Sequence, residues 1–201
     1  MKLLVIGATG RTGKEIVHQA LENGHDVTAF VRSPERVTEK SERLTVRKGD
    51  PADVDQLATA LQGQDAVVSV LGPTDPFEPS SLMHDSALAT TSAMKKSGVK
   101  RLVILSAAAL FPGLIYRIGR YFLRNHMRDS RAMEDIVEQS GLDWTIARPP
   151  RLTEQDSMSY RVREDAPPKL GFVLTRKALA AFMLNAIETG KHSHKIVGIA
   201  R

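Results

Sequence analysis

The chain has 201 residues, of which 42% are hydrophobic and 25% charged, and it contains no cysteine. This composition predicts one globular domain with its own core, and it excludes disulfides and thiolate metal sites. The net charge is +5, but the basic residues form several short clusters rather than one stripe interleaved with aromatic residues, which argues against a nucleic-acid surface.

The apolar segments of the chain indicate whether the protein is secreted or inserted in a membrane. The start MKLLVIGATG is predicted to be a strand rather than a secretory signal. The longest uncharged run, 102–116, is too short to span a bilayer and contains Pro112 and Gly113. We therefore expect a cytoplasmic protein with neither a nucleic-acid nor a membrane partner.

Short apolar runs alternate with helical patterns along the chain. The runs are rich in Val, Ile and Leu and predict strands at 2–7, 26–32, 44–50, 65–72, 101–107, 144–150 and 195–201. Helical patterns lie between them at 12–23, 53–61, 81–97, 129–140 and 175–188. Strands that alternate with helices predict a parallel sheet with right-handed crossovers, and hence a single α/β domain with a doubly wound parallel sheet.

A glycine follows the end of each predicted helix. Because glycine adopts the left-handed conformation that stops a helix, these residues predict five helix ends. They are Gly24, Gly63, Gly98, Gly141 and Gly190.

The segment GATGRTG connects the first predicted strand to the first predicted helix. A glycine-rich turn lets the backbone approach a pyrophosphate, and the helix N-terminus offers free N–H groups to it. Thr12 and Glu15 also have the spacing of a capping box. A tight turn without a ligand is the alternative. The predicted phosphate-binding residues are Gly7, Thr9, Gly10, Arg11, Thr12 and Gly13.

The second predicted strand ends on Arg32, nineteen residues after Gly13, where dinucleotide-binding proteins that use NAD carry an acid. An arginine can instead pair with a 2′-phosphate. Arg11, Ser33 and Arg36 are close enough in sequence to assist. This pattern predicts NADP(H) rather than NAD(H), and the alternative is that Arg32 is a solvated charge at a strand end.

Two further strand ends are predicted to contact the dinucleotide. Asp50 follows the third strand, where its carboxylate could accept a hydrogen bond from the adenine amino group. Leu71 and Gly72 follow the fourth, where glycine would let the chain pass the ribose and nicotinamide.

Several segments, in this order, resemble the NmrA-like atypical short-chain reductases: GATGRTG, VRSPER, GQDAVVSVLG, AMKKSGVKRLVILSA, EQSGLDWTIARPP and TRKALAAFML. The nearest resemblance is to the flavin reductase (biliverdin IXβ reductase) branch. It implies a Rossmann domain with a small substrate-covering C-terminal region, and NADPH-dependent reduction of flavins or linear tetrapyrroles. It also implies a monomer, with a dimer left open.

The resemblance assigns roles to particular residues. It places Ser106 beside the nicotinamide and substrate, and Pro149 with Pro150 near the carboxamide. Where the branch has two histidines, this chain has Arg151 and, beside Asp129, Ser130. These departures count against a biliverdin-type substrate.

Ordinary short-chain reductases donate a proton from a tyrosine that a lysine four residues later assists. Here Tyr116 is followed at that spacing by Arg120, directly after Pro112 and Gly113. Arginine is a poor replacement for that lysine. We interpret Tyr116, and Tyr121 with its neighbour Arg124, as anchors of an amphipathic segment, with a catalytic Tyr116 as the alternative.

The sequence therefore predicts hydride transfer to a conjugated acceptor, which takes its proton from water. Ser106 would position the acceptor by a hydrogen bond, and Arg151 would attract an anionic one. The alternative is a non-catalytic NADP-binding sensor of the NmrA type.

The predicted layout of the single domain, 1–201, is a dinucleotide-binding core at 1–150, a substrate lid at 151–175, and a last helix and strand at 176–201. Met158 and Tyr160, within the lid, and Phe77, from a separate loop, could contact an aromatic acceptor. His192 and His194 lack a third ligand nearby, so no metal site is predicted.

Overall fold

The computed structural model describes residues 1–73 and 75–201, except the side chain of Ile115. Its ten strands are β1 Lys2–Ile6, β2 Asp26–Val31, β3 Leu44–Lys48, β4 Ala66–Ser69, β5 Arg101–Leu105, β6 Asp143–Arg148, β7 Arg151–Thr153, β8 Arg161–Glu164, β9 Val173–Thr175 and β10 Lys195–Ala200. Its α-helices are α1 Arg11–Glu22, α2 Val54–Ala60, α3 Leu82–Ser97, α4 Leu114–Phe122, α5 Arg124–Glu138 and α6 Arg176–Thr189. Short 3₁₀ turns lie at Pro34–Arg36 and Ala108–Leu110.

Eight strands form one sheet in the order β3-β2-β1-β4-β5-β6-β10-β8, and only β8 runs antiparallel to its neighbour. β7 and β9 form a separate parallel pair. All seven predicted strands are present, so the doubly wound α/β prediction is confirmed. The sequence analysis missed β7, β8 and β9, which are short and, in β8, exposed throughout.

The strand order reverses beside β1, which pairs with β2 on one side and β4 on the other. Successive side chains of β1 therefore enter two cores. Leu3 and Val5 pack in the core beneath α1 and α6, whereas Leu4 and Ile6 pack in the core beneath α2, α3 and α5. In open α/β sheets, ligands bind at the crevice that such a reversal creates at the carboxyl ends of the strands.

All five glycines predicted to end helices have left-handed backbone angles, with φ between 65° and 78°. A residue with a Cβ is strained in this conformation, whereas glycine adopts it freely. These five predictions are confirmed.

The predicted capping box of α1 is wrong. Gly10 is the N-cap and has no side chain that could cap the helix, while Thr12 is already the second helical residue. The helix begins early because the backbone N–H of Lys14 donates to the carbonyl oxygen of Gly10 at 2.9 Å. The first turn of α1 therefore receives no hydrogen bond from a capping side chain. By contrast, Asp53 caps α2 by accepting from two backbone N–H groups.

The segment between β5 and β6 differs most from its prediction. α4 occupies residues that the sequence left as a loop or a late helix, and α5 begins five residues before the predicted start. Leu123 ends one helix and begins the other, so only a single residue separates them. The polar first turn of α5 carries no apolar periodicity that could have marked its start. Within the described ranges, no helix has both the length and the apolar character needed to cross a membrane.

Candidate functional site

The turn between β1 and α1 requires glycine at two positions. Gly7 has φ of +88°, and a Cβ on Gly13 would lie 2.1 Å from the carbonyl oxygen of Gly7. The N–H of Gly10 donates to that same carbonyl at 3.0 Å. The turn is thus held closed by its own backbone, and it leaves the first turn of α1 without a side-chain cap, as an anion site at a helix N-terminus requires.

A cavity of about 120 Å³ opens beside this turn. It is lined by Ile6, Gly7, Thr9, Phe30, Val31, Arg32, Ser33, Arg36, Pro51 and Leu71. The structure therefore brings together predicted residues from the ends of β1, β2 and β4. Arginines line one part of the cavity, and none of the described lining residues is acidic.

Phe30 and Pro51 line this cavity but were not predicted from the sequence. The ring of Phe30 lies so close to the backbone of Gly49 that a Cβ on this glycine would lie 2.2 Å from the ring. Glycine at position 49 therefore leaves the space that this ring occupies at the end of β3. Only the tertiary structure reveals this contact, because the two residues are nineteen positions apart.

Asp50 and Gly72 lie outside the residues that line the cavity. The Oδ1 of Asp50 accepts from the N–H of Ala52 at 2.9 Å, so one carboxylate oxygen holds the turn before α2. Among the residues that the structure describes, a Cβ on Gly72 would meet nothing within 4 Å. The protein's own atoms therefore set no requirement for glycine at position 72.

Arg11, in the first turn of α1, forms an ion pair with Glu154 at 3.2 Å. The same carboxylate oxygen binds Arg176 at 2.6 Å. Burial, with a contribution from nearby Arg11, lowers the pKa of Arg176. Glu154 thus links the phosphate-binding turn to the N-terminus of α6, a role that the sequence analysis did not identify.

Ser106 follows β5 and is buried against a charged pair. Its hydroxyl donates to Oε1 of Glu134 at 2.6 Å, and Nε of Arg148 donates to the same oxygen at 2.8 Å. A second nitrogen of Arg148 donates to Oε2 of Glu134, and its guanidinium lies 4.8 Å from the ring centre of Phe111. Because the single hydroxyl hydrogen of Ser106 is committed to Glu134, this hydroxyl can act toward a ligand only as an acceptor.

The loops after β5 and β6 are joined. The carbonyl oxygen of Pro149 accepts from the N–H of Ala108 at 2.9 Å, and the N–H of Ser106 donates to Ala147 at 2.8 Å. Ser106 and Pro149 therefore lie at the same edge of the sheet. Arg151 begins β7, and its side chain is exposed.

Tyr116 and Arg120 both support the 3₁₀ turn at Ala108–Leu110. The ring of Tyr116 packs edge-on against Phe111, with ring centres 6.3 Å apart. Arg120 donates to the carbonyl oxygens of Ala109 at 2.8 Å and of Phe111 at 2.7 Å. These contacts support the interpretation of Tyr116 as an anchor. Tyr121 is 72% exposed, so its interpretation as an anchor is wrong.

The two residues at the position of the branch's other histidine lie in a helix interface. Asp129 is buried and accepts from the N–H groups of Met83 and His84, which caps α3 from a neighbouring helix. Ser130 is fully buried, and its hydroxyl contacts the sulfur of Met83 at 3.5 Å. Both residues are therefore occupied in joining α3 to α5.

The other residues considered from the sequence either make contacts within the protein or are exposed. Tyr160 packs against Phe182 at 5.9 Å between ring centres, and burial raises its pKa. Met158 and Phe77 are exposed. His192 binds Glu164 at 2.7 Å. Within the part of the chain that the structure describes, no group of three His, Asp or Glu side chains could hold a metal ion.

Comparison with known proteins agrees with this geometry. The model of a family described as NAD(P)H-binding matches residues 7–190. A Rossmann-fold NAD(P)-binding family protein from Shigella flexneri superposes with a TM-score of 0.82 at 26% identity, covering 100% of this chain and 93% of that one.

Two curated relatives are similar over 73% of this chain. The photosystem II assembly factor Ycf39 of Synechocystis is 31% identical over 149 residues, which cover 43% of that protein. The (4-alkanoyl-5-oxo-2,5-dihydrofuran-3-yl)methyl phosphate reductase of Streptomyces griseus is 34% identical over 147 residues, which cover 46% of it. The chain thus spans less than half the length of either relative.

Proposed function

Because the chain belongs to the NAD(P)H-binding family, we propose that it is an NADPH-dependent reductase that transfers hydride to a conjugated acceptor such as a flavin, a quinone or a linear tetrapyrrole. The observation that carries this proposal is the cavity beside the phosphate-binding turn, where Arg32, Ser33 and Arg36 come together with no acid among the described lining residues. The similarity to a reductase from Streptomyces griseus also supports it.

The residues present fit a phosphorylated dinucleotide. The turn from Gly7 to Gly13 would hold the diphosphate, because its backbone is closed and the first turn of α1 has no side-chain cap. Arg32, with Ser33 and Arg36, would bind the 2′-phosphate through charge-assisted hydrogen bonds. Asp50, Gly72 and Pro149 are proposed to complete the site at successive strand ends.

When bound, the nicotinamide cofactor supplies the hydride. Ser106 is proposed to accept a hydrogen bond from an N–H group of the ligand, because its own hydrogen is held by Glu134. The exposed Arg151 would attract an anionic acceptor, and residues 151–175 would cover it. A conjugated acceptor delocalises the incoming electrons and takes its proton from water, so the protein mainly orients the two reactants.

A non-catalytic NADP sensor is the second candidate. The contacts of Arg120, whose guanidinium holds two backbone carbonyl oxygens, suit this candidate and the reductase equally, because neither uses a tyrosine as a proton donor. The relative from Synechocystis, which is named for assembly rather than for a reaction, supports this reading.

Steady-state NADPH oxidation with FMN, FAD, riboflavin, quinones, biliverdin and dyes tests the proposal. We expect turnover with at least one acceptor, and slower turnover in Ser106→Ala and Arg151→Ala. Ser193→Ala, at an exposed serine outside residues 151–175, serves as a matched control. If no acceptor is reduced while calorimetry registers different affinities for NADPH and NADP⁺, the protein is a sensor.

A further inference from the structure

α4 carries an exposed apolar face. Leu114, Ile118, Tyr121 and Phe122 are exposed by 66%, 54%, 72% and 66% respectively. Their spacing, at positions i, i+4, i+7 and i+8, places them within an arc of roughly 100° on the helix. A row of large apolar side chains, each more than half exposed, is uncommon on a protein that meets only water.

This face points away from the body of the protein. The opposite side of α4 is identified by its contacts: Tyr116 packs on Phe111, and Arg120 binds the carbonyl oxygens of the 3₁₀ turn. A Cβ on Gly119 would lie 3.9 Å from the Cβ of Ala109, on the same side. The apolar row is therefore a protruding ridge rather than the wall of a cavity.

The surroundings of this ridge are basic. The sequence contains no Asp or Glu between residues 86 and 128. Arg117 lies next to the apolar row on α4 and is exposed. Arg124 and Arg128 follow on α5, also exposed, and both line an open cavity together with Arg120. Among the residues that the structure describes, Arg117, Arg124 and Arg128 form no ion pair.

A second exposed aromatic residue belongs to the same region. Phe77 is 64% exposed, and its carbonyl oxygen accepts a hydrogen bond from the side chain of Asn125, directly after the junction of α4 and α5. We call Leu114, Ile118, Tyr121, Phe122 and Phe77, with the three exposed arginines, the α4 ridge.

We propose that the α4 ridge docks on the surface of an anionic lipid bilayer, with its apolar side chains inserted between the headgroups and its arginines on the lipid phosphates. Short amphipathic helices with Arg beside Leu, Tyr and Phe bind membrane interfaces in this way. A helix of nine residues, about 13 Å long, lies in the interface and does not cross it.

Charge and shape favour lipid over the other occupants. A second copy would bring two sets of unpaired arginines together, which is unfavourable. A protein partner would need a groove shaped to the ridge, whereas a fluid surface adapts to it. From the sequence we expected no membrane partner, because no apolar segment is long enough to span a bilayer. Docking on the surface of a bilayer does not need a spanning segment. The proposal is independent of the proposed reductase activity.

Co-sedimentation of the full chain with vesicles tests the proposal. At low salt, we expect binding to vesicles of equal phosphatidylglycerol and phosphatidylcholine, and at least about tenfold weaker binding to phosphatidylcholine alone. The double variant I118S/F122S should lose at least about tenfold in affinity for the anionic vesicles, because two apolar side chains no longer insert. The control L170S removes a side chain that is 85% exposed elsewhere on the molecule and should change nothing.

The charge requirement is tested separately. R117Q/R124Q should weaken binding about fivefold for each arginine removed, and 0.5 M salt should weaken it further. The control K40Q/R163Q removes two exposed charges elsewhere. Unchanged thermal unfolding in I118S/F122S would show that the fold is intact.

Three results would overturn the proposal. The first is no binding of the wild-type chain to anionic vesicles at low salt. The second is an equal loss in L170S or in K40Q/R163Q. The third is a concentration-dependent dimer, or a complex with poly-glutamate, that I118S/F122S abolishes while vesicle binding persists.

Discussion

The glycine-rich turn after β1 and the α4 ridge after β5 are built in opposite ways. In the turn, the backbone is so close that a Cβ on Gly13 would lie 2.1 Å from a carbonyl oxygen. On the ridge, large apolar side chains are more than half exposed. The comparison shows that the conformation of the turn depends on backbone geometry, whereas the ridge presents large side chains at the surface.

The buried pair of Glu134 and Arg148 joins α5 to the end of β6. Glu134→Ala should have the largest effect on stability, because it leaves the Arg148 charge buried without its partner. We expect a loss of about 3–5 kcal/mol in the free energy of unfolding, measured by urea denaturation. The exposed Leu114→Ser, on the ridge, is the control and should change stability by less than about 0.5 kcal/mol. Equal losses of unfolding free energy in Glu134→Ala and Leu114→Ser would show that the buried pair contributes no more to stability than the ridge does.

Gly13→Ala tests whether the turn tolerates a side chain. The added methyl group overlaps the backbone of Gly7, so we expect a loss of about 1–3 kcal/mol in stability and of NADPH binding by calorimetry. Gly72→Ala is the matched control: its Cβ would meet no atom of the described residues within 4 Å, so stability should stay unchanged. If Gly72→Ala alone abolishes NADPH binding, the ligand itself requires glycine there.

Arg32→Glu tests the choice of dinucleotide without disturbing the turn. We expect NADPH affinity to fall roughly 10- to 100-fold, because a charge-assisted bond to the 2′-phosphate becomes a repulsion, while NADH affinity is maintained or rises. Lys48→Glu, a charge reversal on exposed β3, is the control. Tighter binding of NADH than NADPH by the wild-type chain would contradict the assignment of Arg32.

The smallest expected effect compares the caps of α1 and α2. Asp53→Ala should lower the melting temperature, since its carboxylate caps α2, whereas Thr12→Ala should have less effect on the ligand-free protein. Hydrogen bonds from backbone N–H groups lower the pKa of Asp53, so the stabilisation is complete above its unfolded pKa and is lost as pH falls through the folded pKa. The difference between wild type and Asp53→Ala should therefore shrink in acid, and a constant difference would contradict the capping role.

Much of the fold was predictable because its signals are local. The strands are apolar runs whose residues are buried on both faces, and the five helix-ending glycines have a backbone requirement that does not depend on distant residues. The turn of Gly7 and Gly13 was identified for the same reason. The exposed strand β8 was missed because none of its residues is buried, and α4 was left as a loop or a late helix because Pro112 and Gly113 come directly before it.

By itself, the sequence determined the order of strands and helices, the closed turn at Gly7–Gly13 and the position of Arg32 after β2. Each of these follows from short-range sterics or from the period of apolar residues. Only the tertiary structure decided that Glu134 holds the hydroxyl of Ser106, that Gly49 admits the ring of Phe30, and that α4 turns its apolar side outward. The first two are contacts between residues far apart in the chain, and they form only when the helices pack on the sheet. The exposure of the apolar side of α4 depends on which side of the helix contacts the rest of the protein.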